Sequence, residues 1–314
     1  MAKKKELSIA GAFRIFLEGV KLYFMNIIKF VKYMTFPVLG QILGVGLIFT
    51  TVHLFVNNID KIISINPALD NISVIMLVLL LCIIPSFMLF FASFWKYLVA
   101  MGALNSMAVN LISGAKLEDL SIHNDTVNRR MPTFLGLLFI LSIISILGLI
   151  PFLWAIFLIV MIYLCLVFQV FALEENLGIF EILKKSVQTI KGNFFKTTLL
   201  LFLLWFFTYQ FLPNIISFGL ERIDAYSFLS IPVEAFCKNL PLNETQETIN
   251  TILSAINSNA NFSLEAGVLA KSIVISIIGA IIIGYTLPLR SICCTLLYKE
   301  LETKKLKEKK IKEL

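Results

Sequence analysis

The chain has 314 residues, 58% of them hydrophobic and 15% charged, with a mean hydropathy of +0.89. That composition lies outside the usual soluble range and leaves too few polar residues to cover a water-facing surface. The formal net charge is +7; the lysines sit beside apolar stretches or alternate with glutamates, which suits an anionic lipid surface and excludes nucleic acid as a partner.

The chain starts Met-Ala-Lys-Lys-Lys. Arg14, Glu18 and Lys21 interrupt any signal-peptide apolar core, and no small-residue cleavage site follows, so the mature chain is expected to begin at residue 1 or 2. The next segment, Phe13 to Lys29, reads as an amphipathic helix. Arg14, Glu18, Lys21, Lys29 and Lys32 fall near one face, with Phe13, Phe16, Val20, Phe24, Ile27 and Val31 opposite. Such a helix rests in the membrane interface, apolar side down and lysines towards headgroups.

Six apolar runs follow at 34–56, 73–96, 133–150, 152–173, 197–217 and 267–290, each near the roughly 20 residues that cross a hydrocarbon core. The third and fourth form a tight hairpin around Leu149-Ile150-Pro151. Helices are expected to overrun the membrane at 97–112 and 291–305, where apolar periodicity continues into polar sequence. The predicted fold is thus an all-α, polytopic transmembrane helix bundle of six spans with two cytoplasmic amphipathic interface helices.

Lysine and arginine collect in 1–33, 97–132, 174–196 and 291–314, whereas 57–72 and 218–266 hold only Lys61, Arg222 and Lys238. The excess of positive charge on cytoplasmic loops then puts both termini in the cytoplasm of a bacterial inner membrane. The long outer loop, 218–266, is acidic, and Asn243 followed by Glu244 to Ile256 reads as a short capped helix. Asn71, Asn243 and Asn261 lie in glycosylation sequons by chance. Of the five cysteines, only Cys237 falls in an aqueous loop, and the set has no metal-ligand spacing.

The interface segment occurs twice. Phe13–Lys29 aligns without a gap on Phe180–Lys196, pairing Val20 with Val187 and Asn26 with Asn193. The second copy sets Lys184, Lys185, Gln188 and Lys191 against Phe180, Leu183, Val187, Ile190 and Phe194, and ends at Lys196. The partner spans repeat too: Pro85 stands ten residues before Trp95, and Pro288 ten before Tyr298. Both prolines are expected to kink their helices. The chain therefore divides into a first repeat at 8–112, a central hairpin at 113–173, a second repeat at 174–305 and a basic tail at 306–314. Both copies face the same way, an internal parallel repeat. Residues 117–131 would be the start of a third, eroded copy.

The tract from Phe171 to Ser186, with Glu174, Glu175 and Gly192-Asn193-Phe194, resembles a bacterial family of six-span membrane domains. That family includes the multi-pass domain of glycerophosphoryl diester phosphodiesterases and stand-alone relatives of unknown function. The resemblance implies a six-span membrane fold. It carries no phosphodiesterase activity, because the chain has no soluble catalytic domain.

Catalytic constellations are not apparent. His53 and His123 lack metal-binding spacing. An intramembrane enzyme would need Glu174, His123 and serines to converge, which their spacing gives no reason to expect. Ser86, Ser93, Ser142, Ser145 and Ser276 suit bonds to their own helix carbonyls. Gln41, Asn105, Gln169 and Gln210 suit helix–helix hydrogen bonds, and Gly40-x-x-x-Gly44 and Ala280-x-x-x-Gly284 suit close helix packing. Lys96, Lys271 and Arg290 fall near span ends, where they can snorkel. The expected function is a non-catalytic scaffold or lipid-interacting protein with no cofactor, its partners anionic membrane lipids. Protein partners and a homo-oligomer are left open. The alternative is a transporter or lipid-translocating permease with a path between the repeats.

Overall fold

The computed structural model describes residues 2–65, 71–115, 122–238, 246–248, 250–251 and 265–313. Every regular element among them is helical. In chain order these are α1 (Ala2–Met25), α2 (Ile27–Asn57), α3 (Ile59–Ile65), α4 (Ile72–Ile112), α5 (Asn124–Asn128), α6 (Met131–Leu147), α7 (Trp154–Leu164), α8 (Val167–Leu173), α9 (Ile179–Ile190), α10 (Phe194–Trp205), α11 (Leu212–Arg222), α12 (Ala225–Cys237), α13 (Ala266–Tyr285) and α14 (Leu287–Glu313). Five helical stretches are long and apolar enough to cross a membrane: 27–57, 72–112, 151–173, 194–222 and 266–307. The apolar helix α6 is shorter, at 17 residues.

Local sequence explains most of the boundaries. Asn71 caps α4, its side chain accepting the Ser73 N–H at 2.9 Å. A hairpin turn follows α6, and the Trp154 indole closes it by donating to the Gly148 carbonyl at 2.8 Å. Between α10 and α11 the chain widens into a π-helical turn, Phe206–Phe211, just before Pro213. Proline has no N–H for the carbonyl four residues back and its ring crowds that carbonyl, so the turn opens.

The two aligned segments break at the same place. The Asn26 N–H bonds the Tyr23 carbonyl at 3.1 Å, and the Asn193 N–H bonds the aligned Ile190 carbonyl at 2.8 Å. On the far side, Phe30 and its counterpart Thr197 donate back to Asn26 and Asn193 at 3.2 and 3.1 Å. The second break also uses Gly192 at φ +86°, a backbone setting that favours glycine.

The described chain forms two compact units, each drawing on both halves of the sequence. The first comprises residues 1–41, 91–207 and 284–314. Its centre is α14, buried from Leu287 to Tyr298 except at Arg290. Small residues let neighbours approach it: a Cβ on Gly19 of α1 would stand 2.2 Å from the Cys293 sulfur. A Cβ on Gly284 would stand 2.6 Å from Val38, and one on Gly40 2.7 Å from Ser93. Phe30, Met34, Leu104, Met107, Phe134 and Phe171 are fully buried in this unit. The second unit comprises 42–90 and 208–283. There the space beside Gly44 is filled by the Phe90 backbone, 2.8 Å from a built Cβ, and Phe236 sets its ring edge against Phe49 and His53.

Helix continues through 291–305 as expected, and a break at Thr286 separates α13 from α14. Pro288 stands in the first turn of α14, where a missing N–H costs nothing; Pro85 lies inside α4, which continues unbroken through 97–112. The helix expected from Glu244 to Ile256 lies largely outside the described residues, as do the sequons at Asn243 and Asn261.

Candidate functional site

From Tyr298 onward, α14 carries charged and hydroxyl groups that tie the first unit together. Glu300 accepts from Lys196 of α10 and from Arg14 of α1, the latter at 3.0 Å. Glu302 accepts from Lys185 at 3.3 Å and Thr189 at 3.2 Å, both on α9. The Tyr298 hydroxyl donates to Glu174 at 2.7 Å, and Lys185 stands 3.6 Å from the same carboxylate. Lys304 donates to the Asn193 side chain at 3.2 Å, and Lys305 to the Gln188 carbonyl at 2.9 Å, which serves the C-terminal end of α9.

Lys196 is the most constrained of these groups. Only 7% of the residue is exposed, and its ammonium passes Gly11, where an added Cβ would lie 3.0 Å from it. A lysine this buried keeps its charge only against a fixed partner, which Glu300 supplies.

Of the predicted interface cations, α14 therefore gathers Arg14, Lys185 and Lys196. Lys21, Lys29, Lys184 and Lys191 are exposed. Glu300 and Glu302, expected to alternate with lysines on a solvated helix, instead pair across helices. Tyr298, Glu300 and Glu302 were missed as organising residues; their one signal was the apolar tract continuing past Pro288 to Leu301.

The faces of the two aligned helices are equally informative. The positions buried in both copies are Ile15, Gly19 and Tyr23 in the first and the aligned Ile182, Ser186 and Ile190 in the second, which also buries Thr189 and Lys196. Ser186 donates to the Tyr163 carbonyl at 2.8 Å. Of the phenylalanines in the predicted apolar stripe, Phe24 is 47% exposed and Phe180 79%, whereas Phe16 sets its ring edge against Phe207 and Phe194 packs on Tyr163.

A second cluster lies around the connector between α4 and α6. Arg130 donates to the carbonyls of Phe171, Glu174 and Leu177 at 2.6, 3.0 and 2.8 Å, and its guanidinium stands 4.7 Å from the Phe171 ring centre. It thereby closes the end of α8, where carbonyls lack helical partners. Burial lowers its pKa, opposed by the charge of Glu175. His123 pairs through Nδ1 with the Ser106 hydroxyl at 2.9 Å, and burial lowers its pKa as well. Tyr33 donates to the Asn124 side chain at 2.6 Å. The expected amide bond between helices is present: Gln169 donates to Asn105 at 2.9 Å. Gln41 instead donates to the Pro37 carbonyl of its own helix at 2.6 Å. Of the groups an intramembrane enzyme would bring together, His123 pairs with Ser106, and Glu174 pairs with Tyr298 and Lys185.

An open groove of about 470 Å³ runs between α1 and α14. Arg14 and Glu18 on one side and Lys299, Glu300, Thr303, Lys304 and Lys307 on the other form its rim, with Ile15 and Leu296 also lining it.

These features define a membrane-embedded, all-α protein. No family model, curated protein or solved structure matches the chain.

Proposed function

We propose that this is a non-catalytic inner-membrane protein of six spans, with both termini cytoplasmic, that acts as a scaffold or lipid-interacting element. Its partners are anionic membrane lipids. The reading is carried by the faces of α1 and α9. One face of each is fixed against protein, while Phe13 and Phe24 on α1 and Phe180 and Val187 on α9 stay exposed, with the exposed Lys21, Lys184 and Lys191 on the same two segments. Exposed apolar side chains together with lysines are what a helix lying in the headgroup region needs.

The charge asymmetry supports the orientation. All four lysine-rich segments belong to the first compact unit, and both lysine-poor loops to the second. The sixth span is α6, whose 17 residues rise about 26 Å against a core of about 30 Å. The matched hydrogen bonds at Asn26 and Asn193 support descent of the two interface helices from one duplicated unit.

The test compares the purified protein in bilayer nanodiscs with an unrelated six-span protein in the same lipid mixture. Enrichment of anionic over zwitterionic lipid in the annulus is expected for this chain. Enrichment no greater than the control's would remove the lipid-interacting reading.

A further inference from the structure

We infer that the groove between α1 and α14 is a discrete seat for the phosphate headgroup of an anionic phospholipid. The inference deepens the lipid-interacting reading and rests on it. Lys196 neutralises Glu300 from the buried side, so the rim presents Arg14, Lys299, Lys304 and Lys307 against the remaining carboxylate, Glu18. Thr303 and Lys304 stand three and four residues past Glu300, and Lys307 three past Lys304, steps that share a helix face.

Lys299 donates to the Val109 carbonyl at 3.5 Å and Lys304 to the Asn193 side chain at 3.2 Å, each ammonium keeping further N–H donors. Arg14 carries five N–H donors; one is spent on Glu300 at 3.0 Å, and the side chain is 68% exposed. Lys307 is exposed and makes no ion pair among the described residues. An arginine fork beside two lysines matches the oxygens of a phosphate.

The lining distinguishes a lipid from a free anion. Ile15 and Leu296 contribute apolar surface beneath the charged rim, and Leu17, one turn along α1 from Arg14, is 63% exposed. The volume suits a headgroup with its glycerol, within the usual range of small-molecule sites, and the exposed leucine gives acyl chains an apolar way out.

The experiment uses the full chain in nanodiscs of phosphatidylcholine with a minor fraction of phosphatidylglycerol. Retained phosphatidylglycerol is counted by native mass spectrometry. Wild type should hold it in a saturable class, and the triple variant R14Q/K304Q/K307Q should lower its retention at least about tenfold, each cation near an anionic lipid contributing about fivefold. The matched triple K61Q/K96Q/K271Q, which removes exposed cations on α3, α4 and α13, outside the groove and the aligned helices, should keep that class. Glu18→Gln should raise retention, which guards against a loss caused only by misfolding. Unchanged binding in the groove triple, an equal loss in the matched triple, or a fall with Glu18→Gln overturns the groove assignment while leaving general lipid enrichment standing. Displacement by micromolar soluble glycerol phosphate overturns the lipid as occupant. Absence of anionic enrichment in wild type itself sinks the broader reading first.

Discussion

Arg130 illustrates how a single side chain can hold a connector. Its guanidinium serves three carbonyls in a row that have no helical donors, and a lysine ammonium cannot match that fork from one point. Arg130→Lys should therefore lower stability by about 2 kcal/mol, and Arg130→Ala by more, since hydrogen bonds to charged groups contribute about 1.5–3 kcal/mol. Thermal unfolding in nanodiscs would measure both, and equal midpoints for the Arg130→Lys variant and wild type would refute the fork. His123 makes a different kind of forecast. Burial holds its folded pKa below the ordinary 6.5, so the unfolded chain binds the proton first as pH falls. Stability should be level above about pH 6.5 and decline below it, through the folded pKa. His123→Asn should flatten that part of the profile. A wild-type profile identical to the variant's between about pH 7 and about pH 5 would contradict the assignment.

At the scale of elements, α14 is the organising helix, and its ion pairs predict an asymmetry. Glu300→Gln strands buried Lys196 and frees Arg14, whereas Lys196→Met leaves Glu300 with Arg14 and solvent. The first should cost about 3 kcal/mol, as for a buried charge that loses its partner, and the second clearly less. The double variant should recover part of the loss, because the two sites share one interaction. Additive losses in unfolding measurements would count against the pairing. This helix also marks where the sequence stopped being legible. Apolar runs located the five long helical stretches, and the break before α10 falls at Gly192-Asn193. The pairing of Glu300 and Glu302 was not visible, because a lysine–glutamate alternation reads the same whether its partners lie on its own helix or on a neighbour. The sides of α1 and α9 that pack on protein were not legible for another reason. In a membrane, large apolar side chains need not point inward, and small residues such as Gly19 and Ser186 take the contact face because they let helices approach. Hydropathy therefore found the helices and did not find which side packs on α14.

For the whole molecule, the decisive question is parity. The five long apolar helices alone would leave the two ends of the chain on opposite sides of the bilayer, while six spans return the C-terminus to the side of the N-terminus. The difference rests on α6, a helix about 4 Å shorter than an average hydrocarbon core. A mismatch of that size costs fractions of a kcal/mol per Å and is met by local thinning. The alternative, a helix this apolar lying outside the core, would expose Phe139, Ile143, Ile146 and Leu147, all uncovered by protein, to water. Burial of each such side chain is worth about 1.5–3 kcal/mol, which favours the crossing that the six-span proposal requires. The arginines at its start, Arg129 and Arg130, then stay on the side of the other lysine-rich segments. Reporters fused after residues 120 and 176 bracket α6, α7 and α8 and should both be cytoplasmic, as should one after residue 30. If the reporter after 176 emerges on the far side while that after 120 does not, α6 does not cross, and the two aligned helices lie against opposite leaflets.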